Sequence, residues 1–170
     1  MKKIFISLVS LLVFTSCVLH VYRFTSVNYN NSRISISAGL VNSEDEKSPV
    51  EYIGVSDVRS NVNTPHKVKI LSSTIKIIDS NNKEYIAKTN SNSGYIHIYK
   101  QGVVITDDFK AYIGKVQLDD GTIIDIPPLS FKKTVYVERY SVISDTINAG
   151  GSGKEIFSGT VEDYKKQKNN

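Results

Sequence analysis

The chain has 170 residues with a single Cys, and its 21 Lys and Arg residues stand against 17 Asp and Glu residues. This length favours one domain, and a formal charge of +4 does not provide the dense basic face that nucleic-acid binding requires, so DNA and RNA are excluded as expected partners. One thiol excludes an intramolecular disulfide, so the fold must be stabilised by its own core.

The N-terminus has the layout of a secretory signal. Lys2 and Lys3 form a short cationic region, and the apolar stretch 4–14 that follows is interrupted only by two serines. Residues 14–17, with the sequence FTSC, resemble the lipobox of bacterial lipoproteins. In that family small residues precede a cysteine that is lipidated and becomes the new N-terminus. The resemblance covers about the first tenth of the chain and points to Cys17.

The resemblance implies a membrane-anchored protein of the cell envelope. Residues 1–17 would be a lipoprotein-type signal peptide, and Cys17 would carry acyl chains such as palmitate that hold the protein on the membrane. Val18 rather than Asp follows the cysteine, which resembles the lipoproteins that face the periplasm from the outer membrane.

Two other interpretations of the N-terminus stay open. Residues 4–22 contain no formal charge over nineteen positions, and a single membrane-spanning helix needs about twenty, so an uncleaved signal anchor ending before Arg23 is one alternative. Plain cleavage near Ser16 or Cys17 is the other. In each case the body of the protein leaves the cytoplasm.

The central part of the chain, residues 32–144, is predicted to form strands after a tether at 18–31. Apolar residues alternate with polar ones from Ile34 to Leu40, which is typical of a half-buried strand. Further strand-like segments precede and follow clusters of turn-forming residues. These segments cover residues 50–58, 68–70, 75–77, 84–88, 95–99, 103–105 and 131–143.

The clearest hairpin covers residues 114–126. A three-residue loop with Gly121 at positive φ places Val116 opposite Ile124, whereas a two-residue loop would place it opposite Asp125. The first register brings aliphatic residues together and is the one we expect. Pro127 then ends the hairpin's second strand, because proline cannot donate to a ladder.

The predicted fold is all-β. Short strands at regular spacing without a helical period favour an antiparallel β-sandwich of immunoglobulin-like or transthyretin-like type, following an apolar N-terminal signal or anchor helix. There is no Cys…Trp…Cys pattern, so a true immunoglobulin domain is not indicated. Residues 145–170 are expected to be a flexible Gly-rich linker and a basic tail, with a turn or two of helix near 161–168.

No motif predicts catalysis, a metal or a cofactor. Residues 150–154 (GGSGK) lack the first Gly and the hydroxyl residue of a phosphate-binding loop. His20, His66 and His97 have no second ligand at metal-binding spacing, and the aspartate pairs at 107–108 and 119–120 are expected to serve turns. No Gly-x-Ser-x-Gly elbow is present.

The expected function is therefore non-enzymatic binding of another envelope protein by a lipid-anchored β domain. An alternative is a protective lipoprotein of the immunity or phage-exclusion type, and a less favoured one is a single-span membrane protein. Exposed tyrosines suit protein interfaces, although most of them are expected to pack at the rim of the fold. The candidates are Tyr52, Tyr85, Tyr95, Tyr99, Tyr112, Tyr136 and Tyr140.

Overall fold

The computed structural model describes residues 16–60, 66–90, 93–141 and 153–169. Contacts divide the chain into two units, and each is described by itself below. The larger unit is Tyr22–Thr134, and the smaller one combines Met1–Val21 with Val135–Asn170. Residues 1–15 of the predicted signal peptide 1–17 lie outside the described residues.

The described chain is mostly strand, so the all-β prediction is confirmed. The strands are β1 (Ser16–Ser26), β2 (Ile34–Leu40), β3 (Val50–Asp57), β4 (Val68–Ile70), β5 (Thr74–Asp79), β6 (Glu84–Lys88), β7 (Tyr95–His97), β8 (Phe109–Tyr112), β9 (Gly114–Leu118), β10 (Ile123–Ile126), β11 (Leu129–Ser141) and β12 (Lys154–Thr160). A 3-10 helix covers Tyr99–Gln101, and the α-helix of the described chain is α1 (Val161–Lys168).

The larger sheet has the strand order β6-β5-β8-β11-β1-β2-β3-β7. In this sheet, the pairs β6–β5, β5–β8, β8–β11, β1–β2, β2–β3 and β3–β7 are antiparallel. Its two end strands are connected by a side chain. The Gln101 amide accepts from the Lys88 backbone N (2.7 Å) and donates to the carbonyls of Lys88 (3.0 Å) and His97 (3.1 Å). Because Lys88 ends β6 and His97 ends β7, the sheet is nearly closed.

A second, three-stranded sheet has the order β10-β9-β4. Its β9–β10 hairpin has the predicted register, with Val116 opposite Ile124, and Gly121 has a φ of 83°. The hairpin is confirmed because its register depends only on local turn geometry and on the pairing of aliphatic residues. Ile126 ends β10 directly before Pro127, as predicted.

The core of the larger unit lies between strands of both sheets. Ile53, Ile77 and Val116 are fully buried, and three phenylalanines pack together from β1, β8 and β11. The Phe109 and Phe131 rings stack at 4.7 Å, and the Phe24 ring meets Phe109 edge-on at 5.3 Å. Such pairs add about 1 kcal/mol each to the free energy of burial.

The smaller unit contains β12, which pairs with β11, and the helix α1. Thr160 caps α1, because its side-chain oxygen accepts from the backbone N of Asp163 at 3.1 Å. The helix predicted near 161–168 is thus confirmed. The prediction that the tail is mobile is wrong for residues 154–168, which form β12 and α1, while the linker 145–152 lies outside the described residues.

The predicted tether at 18–31 is wrong over most of its length, because β1 covers Ser16–Ser26. Tyr22 and Phe24 are buried and the intervening Arg23 is exposed, so this strand has the usual period of two over a short stretch. Residues 16–22 of the alternative anchor helix are also in this strand rather than in a helix.

Two further strand predictions differ from the structure. Residues 103–105 are not a strand, although Val103 and Ile105 are buried, and β8 at Phe109–Tyr112 was not predicted. The pattern around β8 is short, and its partners β5 and β11 are distant in the chain. Pairing of this kind is determined by tertiary packing and leaves little local signal.

Candidate functional site

Cys17, the predicted lipidation residue, lies at the second position of β1. It is exposed and forms no disulfide. Cleavage before Cys17 would place an acylated N-terminus directly at the start of a strand. The lipid would then be attached to a residue of the smaller unit itself.

An aromatic patch covers the outer face of β3 and β7, and we define it as Tyr52, Tyr95 and His97. The Tyr52 ring lies 5.4 Å from that of Tyr95 and 6.1 Å from that of His97, both edge-on. Tyr95 is 45% exposed. The register that pairs Tyr52 with His97 places these side chains on the same face, opposite the buried Ile53 and Ile96.

Two glycines let the tyrosine rings lie close to the sheet. A Cβ at Gly39 would be 2.5 Å from the Tyr52 ring, and one at Gly54 would be 2.8 Å from the Tyr95 ring. Gly54 of β3 is therefore covered by an aromatic side chain. The resulting surface is aromatic and amphipathic, and aromatic residues are enriched in protein interfaces.

The backbone of β7 is partly occupied by side chains along its outer edge. The backbone N of Tyr95 donates to the Ser93 hydroxyl (3.0 Å), and the carbonyl of His97 accepts from Gln101 (3.1 Å). Short strands with occupied backbone groups resist the addition of a further strand. Contacts made by the aromatic side chains are therefore favoured over strand addition at this position.

A cluster of charged side chains lies where β3 ends and where the turn connects β9 to β10. Arg59 binds Asp57 in a bidentate way, with Nη2 at 2.6 Å from Oδ2 and Nε at 3.0 Å from Oδ1. Asp120 binds Arg33 at 2.6 Å, and His66 Nδ1 lies 2.5 Å from Asp119 Oδ2. The cluster thus connects the residues before β2, after β3 and before β4 to one turn.

The electrostatics of the cluster favour charged carboxylates. The pKa of Asp57 is lowered to about 2, mainly because its carboxylate accepts side-chain hydrogen bonds from Arg59. Burial acts in the opposite direction. Thr122 and then Arg33 lower the pKa of Asp120, and Asp57 raises the pKa of Arg59. The Asp57 side chain is fully buried, so its charge needs this partner.

The same cluster contains a possible set of metal ligands. Ligand atoms of Asp57, His66 and Asp119 all lie within 4.8 Å of one another. Both oxygens of Asp57, however, accept hydrogen bonds from Arg59, and a cation there would be placed beside that guanidinium. The donor set therefore fits an ion-pair network better than a metal ion.

A hydrolytic role for the His66–Asp119 pair needs a nucleophile at the imidazole. In the described part of the chain, Ser60 is bonded to His66, but its hydroxyl accepts from the backbone N (3.0 Å) and not from the ring. The arrangement can hold loops together and buffer charge. Among the described residues it brings no nucleophile to the His66 ring to complete a set of nucleophile, base and orienting group.

The other predicted candidates are dispersed. His20 contacts Tyr164 in the smaller unit, and His97 belongs to the aromatic patch. Asp108 accepts from the backbone N of Lys133 in β11 at 2.9 Å, which is a contact between distant parts of the chain and not a local turn. Residues 150–152 of the glycine-rich segment lie outside the described chain. Among the seven tyrosines, Tyr95 and Tyr99 are exposed and the others are half-buried.

The charged cluster was missed in the sequence because its members are far apart. Asp119 lies 53 residues after His66 and 60 residues after Arg59. The signal that was present is the Asp57-x-Arg59 spacing after a predicted strand, which allows the aspartate to accept from the backbone N two residues later, here at 2.9 Å.

Comparisons with known proteins returned no match to a family model, to a curated protein or to a solved structure. Within the described residues, every helix is too short or too polar to span a bilayer.

Proposed function

We propose that this protein is an envelope lipoprotein, anchored to a membrane by acyl chains on Cys17, that binds an envelope protein and performs no catalysis. The observation that carries the proposal is the position of Cys17. It follows a cationic and apolar leader in the sequence, and it is exposed at the start of the first described strand. Acyl transfer requires such an accessible thiol.

The proposed partner surface is the aromatic patch of Tyr52, Tyr95 and His97. Aromatic side chains contribute large contact area at low conformational cost, and hot spots in interfaces are enriched in tyrosine. The alternative protective function would use the same kind of surface against a toxin or phage component, and no contact of the described residues favours it over an assembly role.

We also propose which kind of all-β fold the protein has. The larger unit contains strands of two antiparallel sheets, which supports a sandwich of immunoglobulin-like or transthyretin-like type. The N-terminal helix of the signal, the periplasm-facing outer membrane location and the envelope partner rest on the lipoprotein resemblance.

The anchor is tested by Cys17→Ser in cells grown with a radiolabelled fatty acid. We expect the variant to lose the label, whereas the matched change Val18→Ser, at the neighbouring exposed residue, keeps both the label and the membrane fractionation. Density-gradient separation of the two membranes then tests the outer-membrane location. A Cys17→Ser protein that still carries the label would refute the proposed anchor.

The partner surface is tested by a photo-crosslinking amino acid placed at Tyr95 in the native envelope. We expect one envelope protein to be crosslinked there, and the product to be lost when Tyr52→Ala and His97→Ala are added. Ile86, 61% exposed on β6, is the control position and should give no such product. Equal products from both positions would contradict the assignment of the patch.

A further inference from the structure

The helix α1 lies beside the first residues of β1 in the smaller unit. His20 Nε2 and the Tyr164 hydroxyl are 2.8 Å apart, and their rings meet edge-on at 5.6 Å. The Phe157 ring of β12 packs against the ring of the same tyrosine, with ring centroids 5.0 Å apart. These contacts fix α1 against both strands.

The same contacts place α1 close to the proposed lipid. His20 is three residues after Cys17, and a strand rises about 3.3 Å per residue, so the two residues are separated by about 10 Å. The hydrogen bond between His20 and Tyr164 then connects β1 to α1. The helix therefore lies within about one or two Debye lengths of the place where an acyl chain on Cys17 would enter the membrane, so its charges can interact with the membrane surface.

Charge is segregated along α1. Glu162 and Asp163 are in its first turn, while Lys165, Lys166 and Lys168 are in its last turn and all exposed. The acids have partners in the helix itself, since Asp163 Oδ2 accepts from the Thr160 hydroxyl (2.6 Å) and Glu162 binds Lys166 (2.8 Å). Glu162 offsets the charge of Lys166, so three lysines against two acids leave α1 with a net charge of +1, and its positive groups lie at the exposed C-terminal end.

The helix does not have the character of a membrane-inserted segment. Val161 is its buried residue, Tyr164 is half-buried, and the remaining side chains are polar and exposed. Peripheral helices that insert into lipid need a broad apolar face. A contact between α1 and a bilayer would accordingly be electrostatic and located at the headgroups.

We infer that Lys165, Lys166 and Lys168 form a second membrane contact that binds anionic phospholipid headgroups beside the lipid on Cys17. The inference rests on the proposed function, because the acyl chains hold α1 at the surface. The acyl chains supply the anchor itself, and a basic patch at the surface adds an electrostatic contribution that depends on the charge of the lipid. Each lysine near an anionic surface strengthens binding by about fivefold.

The test uses the full acylated protein on two kinds of vesicle, one of pure phosphatidylcholine and one with phosphatidylglycerol added. Lysine acetylation is then measured residue by residue. We expect acetylation at Lys165, Lys166 and Lys168 to fall severalfold on the anionic vesicles relative to the neutral ones. Raising the salt to 0.5 M should remove the difference, since it screens the contact.

Control lysines are present in the larger unit. Lys69, Lys100 and Lys110 are exposed, and we expect their acetylation to be the same on both vesicles. A triple variant, Lys165→Gln, Lys166→Gln and Lys168→Gln, keeps good helix formers, and in it the lipid-dependent protection of the α1 backbone amides should disappear. The matched variant with glutamine at the three control positions should retain that protection.

The outcomes separate the inference from the proposed function. A protein that floats with both vesicles but shows equal acetylation of the three lysines is still a lipoprotein, and the α1 contact is then refuted. Equal protection on both vesicles would also refute it, because the contact would not depend on lipid charge. A protein that floats with neither vesicle would contradict the anchor and the inference together.

Discussion

Asp57 is the residue on which the charged cluster of the larger unit depends. Its side chain is completely buried at the end of β3, and Arg59 provides the charge that makes this burial tolerable. If one partner of such a pair is removed, the other charge stays buried without compensation. The free-energy cost of that state is larger than the stabilisation that the intact pair provides. The cluster therefore holds the turn at Asp119 and Asp120 against the end of β3.

The stabilisation by Asp57 should depend on pH in a defined direction. The pKa of Asp57 is about 2 in the folded state against an ordinary 3.8, so its contribution is complete above pH 3.8 and is lost as the pH falls through 2. We expect Asp57→Asn to lower the free energy of unfolding by roughly 1–2 kcal/mol at pH 6. Urea unfolding at several pH values measures this.

The difference between wild type and Asp57→Asn should stay constant above pH 3.8 and shrink as the pH falls from 3.8 to about 2. Asp125→Asn is a suitable control, because Asp125 is exposed on β10 and lies outside the cluster. We expect the control to change stability by less than about 0.5 kcal/mol. A pH-independent difference for Asp57→Asn would show that its charge is not what stabilises the fold.

Residue-level chemistry was only partly predictable from the sequence. The turn role of Asp120 and the positive φ of Gly121 follow from local geometry and are confirmed by the structure. The approach of His66 and Arg59 to Asp119 depends on how β3, β4 and the β9–β10 turn are packed. No spacing along the chain encodes that packing.

At the scale of elements, β1 and α1 change the interpretation of both chain ends. The sequence suggested a loose tether and a mobile tail, because residues 22–31 are polar and aromatic without a clear period and α1 is strongly polar. Both are ordered by pairing and by aromatic contacts around Tyr164 rather than by propensity. Isolated helices of this length are unstable in water, so tertiary contacts must stabilise α1.

The role of Tyr164 can be separated into its ring and its hydroxyl. Tyr164→Phe removes the hydrogen bond to His20 but keeps the packing against Phe157, and we expect a small increase in amide exchange in α1. Tyr164→Ala removes both contacts and should increase that exchange by about tenfold or more. Hydrogen exchange with mass spectrometry of Val161–Lys168 measures both.

Lys165→Ala, on the same helix, is the control for this series, because it leaves the ring contacts of Tyr164 in place. Exchange of α1 in this variant should stay close to the wild-type rate. If Tyr164→Ala exchanged no faster than Lys165→Ala, the aromatic contacts would not be what orders α1.

For the whole molecule, the fold class was predictable and the topology was not. Alternation and turn residues identify β2, β3 and the β5–β6 and β9–β10 hairpins, since each signal is local. The placement of β11 between β8 and β1 and the separation of β4 from β5 into different sheets involve distant pairings. These depend on the assembled core.

Near-closure of the larger sheet depends on Gln101 and can be tested. Gln101→Ala removes its three hydrogen bonds to Lys88 and His97, and we expect the free energy of unfolding to fall by about 1–2 kcal/mol. Exchange of the Lys88 amide should increase. Lys100→Ala, in the same 3-10 helix, should leave both quantities unchanged, and an equal effect of the two variants would contradict the bridging role.

The account as a whole depends on Cys17 being the acylated N-terminus of the mature protein. Intact-mass spectrometry of the protein purified from its native membrane tests this most directly. The account predicts a chain that begins at Cys17 with added acyl mass. A chain that begins at Met1, or a processed N-terminus without acyl mass, would contradict it.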